Sequence, residues 1–301
     1  MNRLYNIFSV CCLVMATMVI TSCEEIDFGG LGGSNGGNKS EQNANVVLHF
    51  SPFTQEGFTR GEGGIEQFAS RLSVVVFKTD GTKVKTVTQR VEDDSFGTVG
   101  VALTEGSYRI VAIAHSCQGN ATVTSVEKVT FPSNKVTDTF AYCGTIDVTD
   151  GEKIEETLQM TRRVAMVRLT LAEPLAENIA SLKFYYTGGS STYSPATGYG
   201  CVQSKQTETR STVAEDGSAV TTYEIYTMPH TEDDVLKVTV TALGQDGSEV
   251  SEVVMQDVPV TRNKITTWSG QLFGAGGGAV SDGGITVTLD AEWSGTLKYN
   301  W

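Results

Sequence analysis

Apolar and polar residues alternate with a period of two in several parts of the chain. The pattern is clearest in Leu236–Leu243 and Ile285–Trp293, where Thr, Lys, Asp or Glu separates the apolar positions. Successive side chains of a strand point to opposite faces, so this pattern is typical of antiparallel sheets with one buried face. Segments rich in β-branched and aromatic residues predict six strands: Val46–Phe50, Leu72–Phe77, Tyr108–His115, Val164–Leu171, Leu236–Leu243 and Ile285–Trp293.

Glycine follows an acidic residue at points where hairpin turns would lie. Glycine adopts the positive φ that such turns need. The pairs are Asp80-Gly81, Glu105-Gly106, Asp150-Gly151, Asp216-Gly217 and Asp246-Gly247. Helical candidates are few: Ile65–Arg71 and Pro174–Ala180 have room for one or two turns, too little for a βαβ unit. The sequence therefore predicts an all-β fold of two antiparallel β-sandwich domains in series.

The boundary between the two domains is expected within Glu156–Arg163. Asp150-Gly151 ends one unit, and Arg162–Val167 opens a new buried strand. We therefore assign residues 46–160 to an N-terminal sandwich and residues 161–301 to a C-terminal sandwich. No short repeat recurs along the chain, which argues against a solenoid.

Residues 1–22 have the pattern of a secretory signal peptide. Arg3 precedes an apolar run, Ile7–Ile20, that is shorter than the roughly 20 residues needed to cross a bilayer as a helix. The following Thr21-Ser22-Cys23 completes a stretch that resembles a bacterial lipobox, which implies cleavage before Cys23 and acylation of its sulfur. The alternative is an ordinary cleaved signal with a coincidental cysteine. We expect Cys23 to be lipidated.

Residues 23–45 are predicted to form a flexible tether. Gly, Ser and Asn dominate from Gly29 to Asn45, and such a segment has little apolar surface to bury. Glu24, Glu25 and Asp27 follow the cysteine directly and resemble the surface-export signal of Bacteroidetes lipoproteins; the alternative is a solvated linker, and both can hold. The expected location is the cell surface.

The chain is acidic, with 22 Lys and Arg against 35 Asp and Glu and a net charge of −13. Removal of residues 1–22 takes away only Arg3, so the mature chain would carry −14. A surface of this sign repels nucleic acid and anionic membranes. The acyl chains of Cys23 are therefore expected to supply the attachment to the outer membrane, and nucleic acid is not an expected partner.

Cysteine and histidine give little support for catalysis. Cys117 and Cys143 lie in or beside predicted strands of one domain and could form a disulfide in an oxidising compartment; the alternative is two buried reduced thiols. His49 and His115 alternate with apolar residues as half-buried strand residues do, and His230 precedes an acidic loop that lacks the spacing of a calcium site. The sequence also lacks the common nucleophile, zinc and phosphate-loop motifs. We expect no enzyme activity, no metal and no cofactor.

Tyrosines are concentrated between residues 184 and 199, among Gly, Ser and Thr. Aromatic rings on polar loops suit carbohydrate stacking or protein contact. The candidate glycan contacts are Tyr185, Tyr186, Tyr193 and Tyr199. The alternative is an ordinary strand, Leu182–Tyr186, that runs into a long loop.

Several segments together resemble the fimbrillins of Bacteroidales, the subunits of type V pili. They include the lipobox, the Gly-rich tether, the first strand and the short stretch Phe58-Thr59-Arg60. Further similar segments are Phe68–Lys78, Leu103–Ala114, Met160–Leu171, Thr261–Phe273 and the closing strand Ile285–Trp293. The resemblance covers most of the chain, and none of these segments is catalytic.

The resemblance implies two transthyretin-like sandwiches and assembly by strand donation between fimbrial subunits. In stalk subunits of that family an arginine-specific protease cuts behind the first strand, and Arg60 occupies the corresponding place. Loss of Val46–Phe50 would then open a groove that a partner strand fills. Residues 274–301, with their Gly-rich start, are the candidate donor.

Two other roles remain open at this point. Anchor subunits of the same family keep their lipid and would not be cut at Arg60. A lipid-anchored glycan-binding protein would instead use the tyrosines between residues 184 and 199. The first hypothesis is a structural fimbrial subunit.

Overall fold

The computed structural model describes residues 44–52 and 64–273 and the backbone of two further strands, Thr286–Asp290 and Leu297–Tyr299. Cys23, most of the predicted tether and Arg60 lie outside these residues. The strands of the first half are β1 (Val46–Pro52), β2 (Arg71–Lys78), β3 (Lys83–Arg90), β4 (Thr98–Val101), β5 (Gly106–His115), β6 (Thr122–Ser125), β7 (Lys128–Thr130), β8 (Thr139–Val148) and β9 (Ile154–Arg162).

The strands of the second half follow without an intervening helix. They are β10 (Ala165–Leu171), β11 (Ser181–Thr187), β12 (Thr192–Ser194), β13 (Tyr199–Gly200), β14 (Lys205–Ser211), β15 (Thr222–Thr227), β16 (Asp234–Leu243), β17 (Glu249–Val260), β18 (Ile265–Gly270), β19 (Thr286–Asp290) and β20 (Leu297–Tyr299). The helices of the described residues are two short 3₁₀ turns, Ile65–Gln67 and Pro132–Asn134. In that part of the chain no helix is long and apolar enough to span a membrane.

The first half is a sandwich of two layers. One layer has the order β3-β2-β5-β8 and the other β9-β1-β4. Among the described residues, the two layers are joined by hydrogen bonds where Phe140 and Ala141 of β8 pair with Arg162 and Thr161 of β9. Alternate side chains from both layers meet in one apolar core, which includes Leu48, Leu72, Ile110 and Met160.

The second half is built in the same way from a layer β14-β11-β16-β17 and a layer β15-β10-β18-β19-β20. Its core includes Leu182, Phe184, Val240 and Val260. Gly217 and Gly247, the glycines of two predicted turns, adopt φ of +83° and +79°, a conformation that residues with a β-carbon rarely adopt.

The two halves repeat one topology although the sequence shows no short repeat. In each, the first strand lies between the last strand, to which it is parallel, and an antiparallel neighbour: β9-β1-β4 corresponds to β18-β10-β15. Likewise β3-β2-β5-β8 corresponds to β14-β11-β16-β17. The repeated unit is thus a seven-stranded sandwich, and β19 and β20 extend the second copy at its edge.

A further, four-stranded sheet joins the halves. Each half contains one inserted hairpin, β6-β7 in the first and β12-β13 in the second, and the hairpins pair through β7 and β12 in the order β13-β12-β7-β6. A third apolar cluster, which we call the seam core, lies beneath this sheet and includes Phe77, Val129, Tyr193 and Met228. The described residues belong to one compact unit.

The all-β fold predicted from the alternation is confirmed, and each predicted strand overlaps a strand of the structure. Two details differ from the expectation. The pairs β1–β9 and β10–β18 are parallel in an otherwise antiparallel arrangement. The helical candidate at Ile65 forms only a three-residue turn, and the one at Pro174 forms none. The domain limits at residues 160 and 161 stay a prediction.

Candidate functional site

The first strand occupies an internal position in its sheet. All seven residues of β1, from Val46 to Pro52, pair in parallel with β9, opposite Ile154 to Met160. On its other side, Val46 to His49 pair antiparallel with β4. We call the slot between β4 and β9 that this strand fills the β1 groove.

Alternate side chains of β1 point into the sandwich. Val46 and Leu48 are completely buried and Phe50 is 5% exposed. His49 lies on the opposite face, with Nδ1 3.1 Å from Thr98 Oγ1 and Nε2 3.0 Å from Glu155 Oε1. Burial of a large apolar side chain contributes roughly 1.5–3 kcal/mol, so these three side chains supply much of the free energy that keeps β1 in its groove.

Polar contacts fix both ends of the β1 groove. At one end the Asn45 side chain donates from Nδ2 to the Leu103 carbonyl oxygen (2.9 Å), and its Oδ1 accepts from the Leu103 backbone amide (2.8 Å). At the other end the Phe50 amide donates to the carbonyl oxygen of Gly97 (2.8 Å). Gly97 has φ of +89°, and a β-carbon there would lie 3.1 Å from Ile65 Cγ2, so a glycine suits this position.

A buried glutamine positions the segment that leads into β4. The Gln89 side chain donates from Nε2 to the carbonyl oxygens of Ser95 (3.0 Å) and Thr98 (2.7 Å), and its Oε1 accepts from the Gly97 amide (3.0 Å). Gln89 is 6% exposed. Sequence reasoning missed this residue, since β3 is not among the predicted strands and a glutamine between polar residues gives no sign of burial.

The connection between β1 and the rest of the sandwich runs through residues 53–63, outside the described residues. Arg60 falls in this connection by sequence, so the structure does not describe the predicted cleavage position. Pro52 ends β1 and Ile65 begins the next element. A cut anywhere between them would leave β1 held by non-covalent contacts alone.

The possible disulfide between Cys117 and Cys143 is absent from this structure, in which both are free thiols, as is Cys201. Cys143 pairs in register with Val111 of β5, whereas Cys117 lies beyond the end of that strand at His115. Val111 and His115 alone are about 13 Å apart at roughly 3.3 Å per residue, too far for a disulfide. The Cys117 thiol instead donates to the Lys135 carbonyl oxygen at 2.9 Å.

The four tyrosines considered as glycan contacts do not form one platform. Tyr186 is 1% exposed and Tyr193 completely buried, so neither ring presents a face on which a sugar could stack. Tyr185 points to the opposite side of β11 from Tyr186 and is 37% exposed. Tyr199 is half-buried, and its hydroxyl donates to Glu232 Oε2 at 2.7 Å. Tyrosines that are neighbours in the sequence are separated because successive side chains of a strand point to opposite faces.

His115 lies in the interior of the first half. It is completely buried, its Nδ1 accepts from the Cys117 amide at 3.1 Å, and its Nε2 has no partner among the described residues. Burial, together with the charge of Arg71, lowers the pKa of His115 to about 4. The imidazole is therefore neutral at physiological pH.

The acidic loop after His230 uses its carboxylates internally. Asp234 Oδ2 accepts from the His230 amide at 2.8 Å, and Glu232 accepts from Tyr199. Within the described ranges no group of three or more His, Cys, Asp or Glu side chains is placed to hold a metal ion.

The chain was compared with known families, curated proteins and solved structures. Residues 37–300 match a family model described as a family of unknown function, DUF6562, and the chain belongs to that family. A search of curated proteins gave no match.

Solved structures resemble the chain over most of its length. A candidate polysaccharide-binding protein (DUF1812) of Bacteroides thetaiotaomicron is 12% identical, with a TM-score of 0.53 over 85% of this chain and 98% of that one. A candidate adhesin of the same species is 14% identical, with a TM-score of 0.51 over 85% and 97%. The fimbrial anchor protein Mfa2 of Porphyromonas gingivalis is 11% identical, with a TM-score of 0.42 over 81% and 96%. The two structures from Bacteroides thetaiotaomicron confirm the expected resemblance at the level of the fold.

Proposed function

We propose that the protein is a structural subunit of a cell-surface fimbrium, exported as a lipoprotein through Cys23 and assembled by β-strand complementation. The observation that carries the proposal is the position of β1, the first described strand, which fills an internal slot with three buried apolar side chains. A solved candidate adhesin has the same fold, which supports a role at the surface. The proposal gives the chain a structural role and no catalytic one.

Assembly would begin with a cut after Arg60. Dissociation of β1 would expose unpaired backbone groups of β4 and β9 and the pockets of Val46, Leu48 and Phe50. Such an edge is unstable in water and readily accepts an added strand. The strand of another subunit would therefore complete the sandwich.

The donor in this proposal is residues 274–301 of a second subunit. Its sequence alternates apolar residues at Ile285, Val287 and Leu289, with the spacing of Val46, Leu48 and Phe50. The backbone of β19 pairs with β18 at the edge of the second half, so donation requires that pairing to open. The chain between them, residues 271–285, contains six glycines and far exceeds the length of a tight hairpin.

An anchor subunit is the second candidate role, and it would use the same fold without the cut. The intact mass of the protein recovered from cells distinguishes the two. A mass that begins at Gly61 and lacks the acyl group supports the polymerising subunit. A mass that retains acylated Cys23 supports the anchor and contradicts the polymerising role.

Assembly can be tested with the purified mature chain and an arginine-specific protease. We expect the cut chain to form oligomers in size-exclusion chromatography and the Arg60→Ala variant to stay monomeric. A synthetic peptide of residues 44–52 should occupy the β1 groove and suppress the oligomers. The same peptide with Leu48→Asp should have no effect, since it places a charge in a buried pocket.

Two results would contradict strand complementation. One is a cut chain that keeps the β1 fragment and remains monomeric at high concentration. The other is oligomer formation that both peptides suppress equally. Binding of neutral glycans by the uncut chain would instead favour a glycan-binding protein, the function given for the candidate polysaccharide-binding protein of the same fold.

A further inference from the structure

Two arginines converge at the seam between the halves, far along the chain from each other. Arg163 lies in the link between β9 and β10, and Arg262 lies in the turn between β17 and β18. A β-carbon on Gly198 would be 3.2 Å from Arg262 Nη1 and 3.3 Å from Arg163 Nη1, so these nitrogens are at most about 6.5 Å apart. Gly198 lies in the turn between β12 and β13, and its lack of a side chain admits both guanidinium groups.

The two positive charges are only partly balanced. Arg262 Nη2 lies 3.4 Å from Glu232 Oε2, whose side chain is 60% exposed. Arg163 has no ion pair among the described residues, and its Nε is buried without a hydrogen-bond partner there. By contrast Arg162, next to it, forms a pair with Asp138 at 2.7 Å. Two guanidinium groups this close repel each other unless an anion lies between them.

A second unpartnered polar group lies beside the arginines. Tyr193 is completely buried, and Arg163 lies close enough to act on its hydroxyl as a hydrogen-bond donor, but no described residue accepts a hydrogen bond from that hydroxyl. Burial raises the pKa of Tyr193 to about 12, and the charges of Arg163 and Arg262 both act on it. A buried donor without an acceptor costs free energy, so this hydroxyl also favours an incoming acceptor oxygen.

The rim of this cluster carries an aromatic ring. The Arg262 guanidinium lies 4.6 Å from the centre of the Tyr199 ring, and the half-buried Tyr199 is held through Glu232. A planar guanidinium fork matches a carboxylate, and a tyrosine face suits the apolar side of a sugar ring. Net repulsion from an acidic chain disfavours a polyanion, which points to a ligand with a single negative charge.

We propose that Arg163, Arg262 and Tyr193 form a binding site for the carboxylate of a single acidic sugar, such as the terminal residue of a sialylated or uronic-acid-bearing glycan. The carboxylate would lie between the two guanidinium groups and accept a hydrogen bond from the Tyr193 hydroxyl. Tyr199 would contact the sugar ring. The site lies outside the β1 groove and does not depend on strand complementation.

The test uses the full mature chain and sialyllactose, with binding measured by isothermal titration calorimetry and by the shift in melting temperature. We expect binding that weakens with salt and raises the melting temperature, because a ligand that binds only the folded state stabilises it. The carboxylate methyl ester of sialyllactose and lactose should bind at least tenfold more weakly. Arg163→Gln and Arg262→Gln should each raise the dissociation constant at least tenfold.

Controls separate a binding role from a structural one. Arg168→Gln removes a guanidinium that pairs with Glu224 on β15, and it should bind sialyllactose like the parent protein. Tyr193→Phe keeps the buried ring and should weaken binding several-fold. Without ligand and at low salt, Arg163→Gln should melt no lower than the parent, since it removes an unpaired charge; a lower value indicates a structural role and overturns the proposal.

Three binding results would overturn the proposal. The first is equal affinity for sialyllactose and its methyl ester. The second is binding that neither arginine variant weakens, or no binding at all. The third is equal affinity for acetate and sialyllactose, which would indicate a general anion site without sugar recognition.

Discussion

Buried polar side chains are the residues of this protein whose roles depend most on their surroundings. His115 and Gln89 are both buried polar residues in strands, but they differ in how many of their polar atoms have hydrogen-bond partners. Four atoms in the segment before and at the start of β4 form hydrogen bonds with Gln89, whereas one nitrogen of His115 has no partner among the described residues. The two residues therefore support different predictions.

His115 should make the fold sensitive to mild acid. Its pKa of about 4 lies below the unfolded value of 6.5, so between these values the unfolded chain binds a proton that the folded chain does not. The free energy of unfolding should therefore fall as pH drops from 6.5 to 4. Below pH 4, His115 should lower it no further. The loss is about 3 kcal/mol, which urea denaturation at several pH values can measure.

The comparison for this prediction is His115→Leu, which should lack that part of the pH dependence. His49→Leu changes a histidine whose side chain is 37% exposed and should retain it. An equal fall in stability for the parent and His115→Leu would show that other groups cause the acid sensitivity.

Gln89 should contribute to stability far more than an exposed glutamine. Gln89→Leu leaves the Gly97 amide and two carbonyl oxygens without their partner, at a cost of about 2–4 kcal/mol. Gln67→Leu, at an exposed position in the first 3₁₀ turn, should change stability by less than about 0.5 kcal/mol. Chemical denaturation of both variants gives the difference, and similar values for the two would contradict the role assigned to Gln89.

At the scale of the element, β1 shows why alternation matters more than composition. Leu48 and His49 are adjacent in sequence and lie on opposite faces of one strand. The same period explains why the four tyrosines do not form one platform, because Tyr185 and Tyr186 face opposite sides of β11.

Substitutions in β1 should therefore have effects that alternate along the strand. Leu48→Ala should cost about 2–5 kcal/mol, because it leaves a cavity in the first core. His49→Ala removes a surface pair with Glu155 and should cost less than about 1 kcal/mol. Thermal and urea denaturation measure both values. Equal costs would mean that β1 is not seated as described and would weaken the case for strand complementation.

At the scale of the whole molecule, the inserted hairpins connect two sandwiches of one topology. β7 pairs with β12, and the seam core contains side chains from both halves. Cooperative unfolding requires such shared contacts, since a flexible link alone would let each half unfold independently.

We expect one calorimetric unfolding transition for the parent protein and two for Val129→Asp. Val129 is completely buried in the seam core, so the substitution places an unpaired charge between the halves while both sandwich cores stay intact. Val84→Asp, at a position that is 39% exposed on β3, should keep a single transition. Two separate transitions in the parent would show that the seam does not couple the halves.

The sequence by itself determined the all-β class and the positions of six strands, because a period of two and the turn glycines are local properties. It also located β1 and predicted that Leu48 faces the opposite way from His49. Only the tertiary structure decided the parallel pairing of β1 with β9, the repeated topology and the seam between the inserted hairpins. The separation of Cys117 from Cys143, the bonds of Gln89 and the approach of Arg163 to Arg262 also depend on register and on contacts between residues distant in sequence. Such contacts leave no periodic signal in a single chain, so local pattern could not predict them.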